Sequence, residues 1–173
     1  YIPFILVIVV NCIVFYVTRL LTANAPHYDI SLPVDEWIPF VPEFIVIYIL
    51  AIGQWVFVLA LAAREGKDFY YKATAAEMSS KVFVFLIFLF LPTSMERGDI
   101  QGNDIFDWLT KLIYTLDAPN NLFPSIHCLD SWVCLRVVCK MKTAPKWFKW
   151  ANAVFSVLVF ASVVLVKQHL FLD

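Results

Sequence analysis

Three short stretches carry the side chains that can do chemistry. FPSIH at 123–127 places Ser125 and His127 where a polar segment gives way to an apolar one, and Asp130 follows three residues later. VKQHLFLD at 166–173 brings Lys167, His169 and Asp173 to the end of another apolar run. PTSMERGDI at 92–100 supplies Arg97 just after a third. His169 and Asp173 are four apart, a spacing that puts both on one face of a helix and within hydrogen-bond reach. A carboxylate on one ring nitrogen fixes the tautomer and leaves the other nitrogen as base or nucleophile. His127 offers a second proton carrier, and Arg97 and Lys167 can hold a polyanion. Ser125 follows a proline at a predicted helix start, where unpaired N–H groups and the helix dipole favour an anion. Two histidines, a carboxylate, two cations and a helix N-terminus suit the handling of a phosphate.

Plainer roles stay open for several of these residues. Arg97 can pair with Glu96 or Asp99, Lys167 can anchor a span end at the interface, and Ser125 can cap its helix. Asp130, on the same helical face as His127, either tunes that ring or faces water. His27 reads as a loop residue. Two histidines and an aspartate are also plausible metal ligands, but Arg97 and Lys167 at the same depth would repel a cation, so no metal and no cofactor is expected. The four cysteines lie in apolar segments without C-x-x-C spacing and read as packing residues rather than a zinc site or disulfide framework.

The elements that must position these groups are apolar. Hydrophobic residues make up 61% of the 173 and charged residues 16%, with a mean hydropathy of +0.77. A soluble domain of this length cannot bury so much apolar surface, whereas a chain solvated by lipid can expose it. The fold class expected is all-α, a polytopic transmembrane helical bundle in a single domain. Spans are predicted at 2–17, 44–63, 79–91, 125–139 and 150–166, with 167–173 opening a sixth. The chain starts without Met and stops as that run begins, so it reads as trimmed at both ends. The third span is short, and Glu77 and Lys81 are expected at its interface, with Lys81 snorkelling. Residues 103–115 alternate acids with large apolar residues, the pattern of an amphipathic helix lying on the membrane surface.

Sidedness follows from Lys and Arg. Arg64, Lys67, Lys72, Lys81, Arg136, Lys140, Lys142, Lys146 and Lys149 are nine of the thirteen basic residues, and they fall on one side. That side should be cytoplasmic, which places Arg97, Ser125, His127, His169 and Asp173 together at the extracytoplasmic border. Ionisable groups near a bilayer are costly, so their agreement in depth points to a site. The expected location is a multi-pass protein of the plasma membrane with its site facing out. A net charge of −1 gives no basic excess for nucleic acid. The partners expected are membrane lipids.

On these residues the chain resembles the type 2 phosphatidic acid phosphatase superfamily, whose signature is K-x6-R-P, P-S-G-H and S-R-x5-H-x3-D. PSIH at 124–127 matches the second motif with Ile126 for Gly. Ser162, His169 and Asp173 keep the third motif's spacing, with Val163 in place of its Arg and Lys167 nearby as a substitute charge. Arg97 fits the first motif, with Gly98 for Pro and Phe90 at the Lys position. The resemblance covers about 91–173 and is nearest to a divergent branch, the inositol-phosphorylceramide-synthase-like and some bacterial members. It implies a metal-independent hydrolase with a lipid phosphate or diphosphate substrate, acting through a phosphohistidine on His169. Asp173 would orient that ring, and His127 would serve as acid and base. Arg97, Ser125 and Lys167 would bind the phosphoryl oxygens. Transfer of a phospho-headgroup to an alcohol stays open, as does a non-catalytic relative. A transporter is disfavoured, because away from their ends the spans carry little beyond Asn11 and Gln54.

Overall fold

The structure is a computed structural model and describes residues 2–173. The chain is all-α: α1 (Ile2–Thr22), a short α2 (Pro33–Trp37), α3 (Ile45–Ala62), α4 (Lys67–Phe90), α5 (Ile105–Leu116), α6 (Ile126–Lys140) and α7 (Lys146–Leu165). The only named strands among the described residues are β1 (Tyr28–Asp29) and β2 (Thr93–Ser94), which pair in parallel. Among the described residues four helical segments are long and apolar enough to cross a membrane, where five spans and the opening of a sixth are predicted: Ile5–Thr22, Pro42–Glu65, Lys67–Phe90 and Lys146–Leu165.

Their surfaces mark a membrane protein. Large apolar side chains point outward along the helices, Leu20, Phe83, Phe90, Val154 and Val157 among them. Exposed tryptophans sit near both ends of the bundle, Trp37 and Trp108 at one and Trp147 and Trp150 at the other, as in the aromatic belts of bilayer interfaces. Inside, α3, α6 and α7 are tied by polar side chains. Gln54 Nε2 donates to Asn152 Oδ1 (3.0 Å) and Ser156 Oγ (2.9 Å), and Trp55 Nε1 donates to Ser131 Oγ (3.1 Å). Such hydrogen bonds and small residues hold helices together where no hydrophobic force distinguishes a neighbour from lipid.

Three expectations about the spans change. The third span is a 24-residue helix beginning at Lys67, not a short one starting near Ser79. Lys81 therefore lies within the helix and does not snorkel; it is 0% exposed, held by Glu77 on its own helix and by Asp130 on α6. α6 forms where a fourth span is predicted, but its 15 residues rise only about 22 Å. That is short of a hydrocarbon core of roughly 30 Å. It packs against α3, α4 and α7. Finally, 167–173 form turns that fold back at the end of α7 instead of opening a sixth helix.

The loops at that end are stitched together. Tyr28 N donates to Pro92 O (2.9 Å) and Asn121 N to Thr93 O (2.7 Å). Thr93 is fully buried, and its Oγ1 accepts from Leu122 N (2.9 Å) and Phe123 N (3.0 Å). The segments after α1, after α4 and before α6 thus satisfy one another's backbone groups, which buried chain away from water requires. The predicted amphipathic helix is α5. Asp104 caps it by accepting from Phe106 N and Asp107 N, both at 2.8 Å, and Asp107 returns the contact to Asp104 N. Gly102 is required there, since a Cβ would stand 2.0 Å from the Asp107 carboxylate. Phe106, Leu109 and Ile113 pack on Ile45, Tyr48, Val163 and Val166, so α5 covers the bundle end beside the site.

Candidate functional site

The turn after α7 sets the position of His169. Gln168 N donates to Val163 O (3.0 Å) and Lys167 N to Val164 O (3.1 Å), with Lys167 at φ +53°. This is a Schellman ending with a lysine in the left-handed position more often held by glycine. It stops the helix and turns the chain inward. His169 and Asp173 are therefore not on a helical face as the four-residue spacing predicts. They still meet: His169 Nδ1 lies 3.0 Å from Asp173 Oδ2, which also accepts from Leu170 N at 3.0 Å. The Asp173 side chain is 1% exposed and its other oxygen, Oδ1, has no partner among the described residues.

His127 sits in the first turn of α6, behind Ser125, which is its N-cap. Ser125 Oγ accepts from Cys128 N (3.4 Å) and is buried, so the capping role is the one its contacts display. The His127 ring stacks on Tyr48 of α3 with centroids 4.0 Å apart and meets the edge of Trp55 at 5.0 Å. The His169 ring is 6.3 Å away, and His127 Nε2 is buried without a partner among the described residues. Two histidines from opposite ends of the α6–α7 hairpin thus face each other, one held by a carboxylate and the other by aromatic walls.

Arg97 does not pair with Glu96 or Asp99. Its Nη1 donates to Asp117 O (2.6 Å), its Nη2 to Gln168 Oε1 (2.5 Å), and its guanidinium lies over the Tyr114 ring at 4.5 Å. Arg97 Nε and Gln168 Nε2 are buried donors without partners among the described residues. Burial pushes the Asp117 carboxyl above its ordinary value, and His169, Arg97 and Arg19 pull it back. Lys167 is engaged elsewhere. Its ammonium donates to Asp35 O (2.8 Å) and Ile38 O (2.6 Å), closing the end of α2 onto the bundle. The structure thus brings His127, His169, Asp173 and Arg97 to one region, gives Ser125 a supporting place and takes Lys167 out of the cluster.

Sequence reasoning passed over Gln168, Asp117, Asn120, Tyr48 and Trp55. Gln168 adjoins a singled-out histidine. The others lie on loops or spans with no spacing relation to it, and only packing shows them. Asp130 takes neither predicted role, since its carboxylate pairs with Lys81. No group of three or more His, Cys, Asp or Glu among the described residues is arranged to hold a metal ion.

A cavity of about 380 Å³ descends from the histidines. His127, His169, Asp117 and Asn120 line one end; Trp55, Ile52, Val58, Phe88, Val133 and Val137 line most of the rest, with Glu77 and Asp130 among them. It runs between α1, α3, α4 and α6, within the size range of small-ligand pockets, and its wall is mostly hydrocarbon. Comparison with family models, with curated proteins and with solved structures returns no match for this chain.

Proposed function

We propose that the protein is a membrane-embedded phosphoesterase that acts on a lipid phosphate or diphosphate through a phosphohistidine. The observation that carries this reading is the His169–Asp173 pair facing His127 at one end of a largely apolar cavity. In the proposed reaction His169 Nε2 forms a bond to phosphorus while the phosphorus–oxygen ester bond breaks. Asp173 holds the Nδ1 proton and offsets the charge that develops on the ring. His127 gives its proton to the departing alkoxide. It then takes a proton from the water that attacks the phosphohistidine, releasing phosphate and restoring His169. The buried free donors, Arg97 Nε–H and Gln168 Nε2–H, stand ready for phosphoryl oxygens. The end of the bundle rich in Lys and Arg is the opposite one, which supports a site on the extracytoplasmic side.

The resemblance to type 2 phosphatidic acid phosphatases supports the same assignment of roles. The test is phosphate release by the purified protein from a panel of lipid phosphates and diphosphates with EDTA present, beside His169→Ala and Asp173→Asn. Release should vanish in His169→Ala. In Asp173→Asn it should fall by about 10- to 100-fold, the worth of a hydrogen bond to a charged group. Full activity in His169→Ala would remove the nucleophile assignment. An alcohol acceptor that raises turnover of the lipid without releasing phosphate would convert the reading to transfer.

A further inference from the structure

The end of the bundle away from the histidines carries a second cavity, of about 480 Å³, between the start of α4 and the end of α6. Lys67 and Lys72 line it from α4, Lys140 and Lys142 from the end of α6 and the residues after it, and Glu65 and Asp68 complete its charged wall. The four lysines are exposed, and their ammonium groups take no hydrogen bond or ion pair among the described residues. Glu65 is already committed, since its carboxylate accepts from Lys142 N, Thr143 N and the Thr143 hydroxyl. Lys149 of α7 holds the same connection, donating to Cys139 O (3.0 Å) and Met141 O (2.7 Å). The backbone that presents Lys140 and Lys142 is thus tied to both neighbouring segments before any ligand arrives, which lowers the cost of binding. Four ammonium groups face two carboxylates, an excess of two positive charges.

Its depth names the occupant. Tyr71, Trp147 and Trp150, all exposed, stand within the first two turns of α4 and α7, at the level where aromatic side chains meet lipid headgroups. Basic pockets between spanning helices at this level recognise anionic headgroups. We propose that this cavity binds the phosphodiester headgroup of one anionic phospholipid, in the leaflet opposite the histidines. Lys67, Lys72, Lys140 and Lys142 give charge-assisted hydrogen bonds to its phosphate oxygens. A zwitterionic headgroup brings its own cation into a space that already holds excess positive charge, and selectivity for net-negative lipid arises from that repulsion. The bound lipid joins α4 to the α6–α7 connection, whatever reaction the histidines perform.

Native mass spectrometry of the full chain in neutral detergent, with phosphatidylglycerol or phosphatidylcholine of equal chain length added, counts bound lipids and yields an affinity for each. The native protein should hold one phosphatidylglycerol at least tenfold more tightly than phosphatidylcholine. Lys67→Gln with Lys142→Gln should weaken that binding by about 25-fold, because each lysine near a membrane surface is worth about fivefold. Lys72→Gln with Lys140→Gln should do the same, so a pair that fails to fold leaves the other to decide. Arg64→Gln with Lys146→Gln removes two charges from the same end but outside the cavity, and should leave the affinity near native. Equal affinity for the two lipids, native affinity in either folded cavity variant, or an equal loss in the control pair would overturn the proposal. So would displacement of phosphatidylglycerol by inorganic phosphate at equal concentration, which would assign the cavity to free anions.

Discussion

Replacing Lys81 by methionine is the most direct probe of how this bundle is held. The side chain is 1% exposed and joins α4 to α6 by pairing with Asp130, while also holding Glu77 one turn away. Methionine fills a similar volume, so the cavity term is small and electrostatics dominates. Without the ammonium, two carboxylates at 2% and 12% side-chain exposure face each other in apolar surroundings. Breaking a buried pair by removing one partner costs about 3–5 kcal/mol, because the remaining charge is uncompensated. For a chain of this size each kcal/mol shifts the thermal midpoint by about 2–4 °C. The variant should therefore unfold roughly 6–20 °C below the native protein. The assay is thermal unfolding in one detergent, followed by tryptophan fluorescence. The companion variant, K81M with E77Q and D130N, removes all three charges and should recover most of the loss, since neutral replacements of a buried ion cluster are often harmless. A K81M midpoint within a degree of native, or a triple variant as unstable as the single, would refute the reasoning.

Two other outcomes follow from single contacts. Thr93→Val keeps the shape of a fully buried residue but strips the acceptor from Leu122 N and Phe123 N. Two buried N–H groups left unmade should cost about 2–5 kcal/mol, visible as a lowered thermal midpoint, whereas Thr93→Ser should stay near native. At the opposite end Glu65 accepts from Lys142 N (3.0 Å), Thr143 N (2.8 Å) and the Thr143 hydroxyl, which hold its carboxyl below the ordinary 4.5. A depressed carboxyl contributes its tether fully above the unfolded value and loses it as pH falls through the lower folded one. Hydrogen exchange should therefore show the Thr143 amide still protected at pH 4.5 and released only below it. Glu65→Gln should remove that pH dependence.

Composition and hydropathy determined the class of this protein. So apolar a chain has no stable soluble arrangement, and runs near 2–17, 44–63 and 150–166 become helices because lipid leaves the backbone no other way to satisfy itself. The amphipathic pattern of 103–115 likewise announces α5, and the four-residue spacing of His169 and Asp173 announces their contact. The geometry of that contact did not follow from spacing, because a Schellman turn, set by long-range closure of Lys167 onto the carbonyls of α2, replaces the helix. Lys81 shows the same limit. Its place in the sequence suggests an interface, but its partner Asp130 is 49 residues away, and only helix packing decides whether a lysine near a span end reaches water or a carboxylate. The cavity is wholly tertiary: its walls come from α1, α3, α4 and α6, and no local pattern encodes the space that remains when helices meet.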